Sequence, residues 1–225
     1  MEYTYLLINL AIIIVPLFFS FEKKIRFISH WKAFIPAISI TGLIFIIWDI
    51  IFTDIGVWSF NKDYLTGIYI FNLPIEEILF FITVPYSCLF VFAVVDFYLP
   101  EKKKYDFLKI IYLVLSLFLL FFGFININRL YTSVTFISLS VVLVMTSYIF
   151  KFKKMRNFSI TFILSLIPFL IFNGLLTSIP VVIYNNYENL GFRIFSIPFE
   201  DIFYGMLLIL INVLIYTHFN KKIQK

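Results

Sequence analysis

Asn72-Leu73-Pro74-Ile75-Glu76-Glu77-Ile78-Leu79-Phe80-Phe81 sets a proline and two adjacent carboxylates at the start of a long apolar run, and the chain uses this opening twice. A shift of 124 positions lays Pro74 on Pro198, Glu76 on Glu200 and Glu77 on Asp201. The ungapped match runs from Trp48 to Phe80, with ten identities in 33 positions. Thr53/Thr177, Asn61/Asn185, Gly67/Gly191 and Phe71/Phe195 are among them. The loop therefore repeats with the helix it feeds, as an internal duplication requires.

Outside this motif the chain is almost unbroken hydrocarbon. With 62% hydrophobic and 14% charged residues, 225 residues cannot hide their apolar surface inside a soluble globule. An all-α integral membrane protein is expected. The 31 phenylalanines read mostly as lipid-facing filler. Cys88 is the one cysteine and lies in an apolar run, which supports neither a disulfide nor a metal site. His30 and His218 sit beside lysines at span ends and read as interfacial residues, not ligands.

Seven spans are predicted, at 3 to 20, 33 to 52, 75 to 97, 107 to 125, 131 to 150, 158 to 182 and 199 to 218. The N-terminal stretch has no positive segment or small-residue cleavage site, so the first span is expected to stay in the mature protein. Basic residues alternate with the loops. Lys23, Lys24, Arg26 and Lys32 fall in the first connection, Lys102 to Lys104 in the third, Lys151, Lys153, Lys154 and Arg156 in the fifth, and Lys221, Lys222 and Lys225 in the tail. The other connections hold only Lys62, Arg129 and Arg193. This pattern places the N-terminus outside the cell membrane and the C-terminus in the cytoplasm. Contact with anionic lipid accounts for the net charge of +5, and no nucleic-acid motif competes with it.

Spans 1 to 3 and 5 to 7 share an orientation only if one helix separates them. The expected plan is 3+1+3: a first three-helix repeat at 1–98, a linker helix with its loops at 99–126 and a second repeat at 127–225. The halves are then parallel repeats about an axis along the membrane normal, with substrate between them. Pro16, Pro36, Pro85 and Pro168 lie within spans, which membrane helices tolerate.

With Leu73 as N-cap, Pro74 becomes the first helical residue and Glu76 the third, with Pro198 and Glu200 equivalent. Proline at a helix start and acids in its first turn have a purely structural explanation in the helix dipole. Length argues for more, because the uncharged run from Ile202 to Thr217 spans only if Glu200 and Asp201 sit at the membrane boundary. Asp49 lies one turn from the outer end of the second span, and its repeat mate is Asn173. Intramembrane acids face cavities and are functional by default. Asp49, Glu76, Glu77, Glu200 and Asp201 are thus the candidate catalytic residues. Trp48, Phe80, Asn173 and Tyr204 are the candidate substrate-binding ones, with Phe80 and Tyr204 one helical turn below Glu76 and Glu200.

Carboxyls above aromatic faces suit protonation of an alkene. A carboxyl desolvated in an apolar pocket, or forced beside another, keeps its proton and can act as a general acid. A second carboxylate can remove a proton from the product cation, and aromatic faces stabilise the cation between the two steps. The substrate implied is an apolar polyene dissolved in the bilayer.

The duplicated Pro-x-Glu-(Glu/Asp) openings, the three-span units and the joining helix resemble the small integral-membrane lycopene cyclases of carotenoid synthesis, in their fused two-repeat form. Leu73-Pro-Ile-Glu-Glu-Ile-Leu-Phe-Phe81 carries the first motif; Ile197-Pro-Phe-Glu-Asp201 departs from it at Phe199 and Asp201. The resemblance implies an intramolecular lyase or isomerase that converts lycopene ends to β-rings, giving β-carotene through γ-carotene. It also implies a redox-neutral reaction, so no cofactor is expected; no GxGxxG fingerprint occurs. The competing reading is a small 3+1+3 membrane carrier for a proton-coupled or lipophilic substrate. A carrier needs a site near the midplane, whereas these polar groups gather at the outer ends of the spans.

Overall fold

The computed structural model describes residues 2–100 and 106–223. Lys102 to Lys104 and Lys225, part of the basic-loop pattern, lie outside the described residues. The described residues form seven α-helices: α1 (Thr4–Phe19), α2 (Trp31–Asp54), α3 (Ile75–Tyr98), α4 (Asp106–Ile125), α5 (Leu130–Val144), α6 (Met155–Ser178) and α7 (Glu200–Ile223). Among the described residues, six helices are long and apolar enough to cross a membrane, which is consistent with an integral membrane protein. The exception is α1, whose 16 residues reach about 24 Å at ~1.5 Å per residue, short of a ~30 Å hydrocarbon core.

Several boundaries differ from expectation: α7, expected to end at 218, runs on to Ile223, and three other helices depart as follows. The sixth span was expected to run from 158 to 182, but α6 starts at Met155 and stops at Ser178, just before Pro180, which cannot continue the helical hydrogen bonding. The residues beyond it become a strand instead. The fifth span leaves α geometry after Val144 and finishes as one π-helical turn, Met145–Ile149. At the repeated opening, Pro74 is the N-cap, with φ −65° and ψ 147°, so α3 begins one residue later than expected. In the second copy Pro198 lies two residues before Glu200, the first residue of α7.

The reason for the late start is a miniature hairpin in each repeat. β2 (Tyr69–Ile70) pairs with β3 (Leu73–Pro74), and β5 (Arg193–Ile194) pairs with β6 (Ile197–Pro198). The ladder holds the proline extended, which its fixed φ permits, and keeps it out of the helix. The turns place Phe71 at φ 56° and Phe195 at φ 57°. The shared glycines just upstream, Gly67 at φ 81° and Gly191 at φ 74°, occupy the left-handed region that glycine enters without steric cost.

The longer loops also pair with each other across the repeats. β1 (Trp58–Phe60) runs antiparallel to β4 (Val182–Tyr184), with Trp58 opposite Tyr184, Ser59 opposite Ile183 and Phe60 opposite Val182. Ser59 and Ile183 are mates under the 124-residue shift. A residue that faces its own mate is what a two-fold, self-complementary contact produces. The helices agree: α2 packs on α7 and, equivalently, α6 on α3, while α4 packs mainly on α5. The core between the halves holds Phe45, Leu89, Phe92, Leu207, Leu210 and Val213, all buried.

Candidate active site

Strand geometry roofs the site. Successive side chains alternate across a strand, so Trp58 and Phe60 point one way with Val182 and Tyr184, and all four line one chamber. Ser59 and Ile183 point outward and are exposed. Below the roof stand the ends of three helices. α2 supplies Asp49 from its last turns, α3 supplies Glu77 with Phe80 one turn on, and α7 supplies Asp201 with Tyr204. Tyr5 from α1, Tyr131 from α5 and Asn173 from α6 complete the ring. The chamber is small, about 80 Å³, and among the described residues no lysine or arginine lines it.

Each carboxyl is held by specific donors. Tyr5 donates its hydroxyl to Glu77 Oε2 at 2.5 Å, and Trp58 donates its indole N–H to Asp49 Oδ1 at 2.5 Å. Asp201 collects three donors: the Tyr131 hydroxyl on Oδ1, the Asn173 amide at 2.7 Å and the Tyr184 hydroxyl at 2.9 Å, both on Oδ2. Burial first, and the Asp201 carboxylate second, hold the Tyr184 phenol well above its usual value. Tyr184 therefore stays a neutral donor. Asp49 Oδ2 is buried and has no hydrogen-bond partner.

The duplication is chemically uneven here. Asn173 and Asp201 form an amide–carboxylate pair, while their mates Asp49 and Glu77 are two carboxyls. An amide donor satisfies an ionised carboxylate. Two carboxyls in one apolar chamber without a cation cannot both carry charge cheaply, which makes this pair the natural place for a stored proton.

The other two acids of the repeated motif point elsewhere. Glu76 Oε1 accepts the backbone N–H of Thr66 at 2.6 Å, and Glu200 Oε1 accepts that of Leu190 at 2.7 Å and the Thr132 hydroxyl at 2.6 Å. Both side chains are fully buried, and Oε2 of each lacks a partner. They pin the loop that feeds the hairpin and do not line the chamber. Of the expected binding residues, Phe80, Asn173 and Tyr204 line it. Trp48 stands behind, its ring 5.3 Å from that of Tyr204. Sequence reasoning missed Tyr5, Tyr131, Trp58 and Tyr184. Tyr5 and Tyr131 lie 126 positions apart instead of 124, so the ungapped match could not pair them.

Searches of curated proteins and of solved structures find no match to the chain. The family model described as lycopene cyclase matches it twice, over residues 2–95 and again over 128–219. The first match runs from α1 into α3 and the second from α5 into α7, and each carries one copy of the proline–acid opening, with α4 left between them. Together they take in most of the sequence and both sides of the acid chamber, and the chain belongs to the lycopene cyclase family.

Proposed function

We propose that this protein cyclises the linear ends of lycopene to β-rings by a redox-neutral, acid-initiated route, giving β-carotene through γ-carotene. The observation that carries the reading is the uneven pair of acid clusters facing one aromatic chamber. Glu77 is the proton donor: Tyr5 holds Oε2, Oε1 accepts no hydrogen bond among the described residues, and Asp49 beside it resists a second charge. The proton adds to the terminal alkene and leaves a cation on the dimethyl carbon. The next double bond attacks that carbon, and the ring closes. Asp201, whose three donors favour the carboxylate, takes up the proton lost as the ring alkene forms. Phe80, Tyr204, Trp58 and Phe169 face the chamber with aromatic rings that favour the intermediate cation over water. Electrons and atoms balance without a hydride.

Expression in a lycopene-accumulating bacterium tests this directly. Extracted pigment should shift from lycopene to one-ring and two-ring products. Lycopene left intact despite good membrane expression would refute the activity, and an ε-ring product would refute the ring type.

The 3+1+3 plan and the outside placement of the N-terminus belong to the same proposal. The internal two-fold pairing of β1 with β4 supports parallel repeats, and the basic loops support the orientation. In a Cys88→Ser background, cysteines at Asn61 and Asn186 should react with an impermeant thiol reagent on intact cells, whereas one at Lys153 should not. The reverse labelling would put the acid chamber on the cytoplasmic side.

A further inference from the structure

An apolar cavity of about 320 Å³ lies against the acid chamber, bounded by α1, α3, α6 and α7. The two share Phe80, Val84, Phe169, Asn173, Gly205 and Leu208 in their linings, so only these residues separate them. Its lip is open to the outside of the bundle, since Ala11 and Val15 on α1 and Pro168 on α6 are exposed. The few polar groups on its wall are mostly engaged: Ser87 donates to the Ile12 carbonyl at 3.1 Å and the Thr83 carbonyl at 2.8 Å, and the Asn173 amide is turned to Asp201. Such a wall accepts a hydrocarbon and penalises a polar solute.

The duplication predicts a matching cavity on the other side, and one of about 600 Å³ lies there between α2, α5 and α7, with Ile211 and Ile215 as mates of Ser87 and Val91, but it shares no lining residue with the acid chamber. Gly205 is the mate of Phe81, and Phe169 and Phe172 are the mates of Phe45 and Trp48. Phe81 is 1% exposed and Phe45 fully buried. Phe45 packs 6.1 Å from the Phe81 ring, 5.7 Å from Trp48 and 5.1 Å from Tyr204. Phe45, Trp48 and Tyr204 have aromatic mates in Phe169, Phe172 and Phe80, so the one added ring is that of Phe81, which stands where the first side has Gly205. A Cβ placed on Gly205 would lie 3.9 Å from Phe169 Cε2, so a methyl fits while a ring would occupy the passage.

We propose that one end of a linear polyene enters from the lipid through this slot, with Gly205 as its gauge, and that the pseudo-symmetric route stops short of the acid chamber. The proposal rests on the cyclase reading for its substrate, and it implies that the two ends of a symmetric polyene are admitted one at a time.

The test uses full-length protein in lipid nanodiscs, with lycopene binding followed by quenching of tryptophan fluorescence and ring formation followed separately by pigment analysis. Gly205→Phe should lose at least tenfold in lycopene affinity and about 100-fold in product, with Gly205→Ala losing less than threefold in each. Ala11→Trp, which crowds the exposed lip without touching the core, should also lose at least tenfold in affinity and guards against misfolding of the glycine variant. Ile44→Trp, at the mate of Pro168, should bind and cyclise as the parent does. Full binding by folded Gly205→Phe and Ala11→Trp, or an equal loss in Ile44→Trp, would overturn the slot. Binding that follows this pattern in a protein that forms no ring would uphold the slot and sink the cyclase reading alone.

Discussion

Glu77→Gln should abolish ring formation, with a loss of 10³-fold or more, while Glu76→Gln, one residue earlier in the same motif, should lose no more than about tenfold. Glutamine keeps the size of glutamate and can still accept the Tyr5 hydroxyl on its carbonyl oxygen, but it has no acidic proton to give. A loss of 10³ corresponds to about 4 kcal/mol in the barrier, the scale expected when the general acid of an alkene protonation is removed. At position 76 the change is milder, because the amide oxygen of glutamine can still receive the Thr66 N–H and keep the loop in place. The second repeat should show the same split. Asp201→Asn removes the base and should approach the Glu77→Gln loss, while Glu200→Gln keeps the acceptor for Leu190 N–H and Thr132. Pigment analysis in the lycopene-accumulating host, normalised to membrane expression, reads all four. Equal collapse of Glu76→Gln and Glu77→Gln would return the proton to the first acid of the motif and remove the chamber from the chemistry.

This contrast marks where the sequence stopped being readable. Adjacent helical residues point about 100° apart, so the doubled acid motif announced a site without saying which member faced it. Starting the helix at Pro74 put Glu76 in the third helical position, but the β2–β3 hairpin holds that proline extended, and Glu77 takes the third position instead. Such a pairing, two residues per strand, leaves no periodicity to detect. The roof escaped for the same reason. Trp58-Ser-Phe60 alternates as a strand does and Val182-Ile-Tyr184 is apolar throughout, but three residues are too few to distinguish either from a loop. The asymmetry between Asp49 and Asn173 was visible, because both lie inside the ungapped match. Its meaning needed Asp201 at 2.7 Å from the amide. The helices themselves were legible to within a few residues, since a membrane leaves a chain few alternatives to continuous apolar helix.

Cyclisation in D₂O, with undeuterated lycopene and protein equilibrated long enough for Glu77 and Asp49 to exchange, should place one deuterium in every new ring. Protonation of the terminal alkene puts the incoming hydrogen on the carbon next to the dimethyl carbon, because the tertiary cation is the more stable of the two. That hydrogen becomes part of a ring CH₂ and is not the one lost afterwards. The proton lost to Asp201 comes from the ring carbon that bears the polyene chain, a different carbon from the one that received the label, so the label survives. Mass spectrometry should therefore show a gain of about one unit in the one-ring product and about two in the two-ring product, a count that follows from a solvent-exchangeable general acid. Position matters as much as number: NMR should find the deuterium beside the quaternary carbon and nowhere else in the ring. The chamber's small size and its aromatic walls make the isotope count clean, since water that reached the cation would trap it as an alcohol. Unlabelled product from exchanged protein would mean that the initiating hydrogen never resided on a carboxyl, and the roles given to Glu77 and Asp49 would fall together.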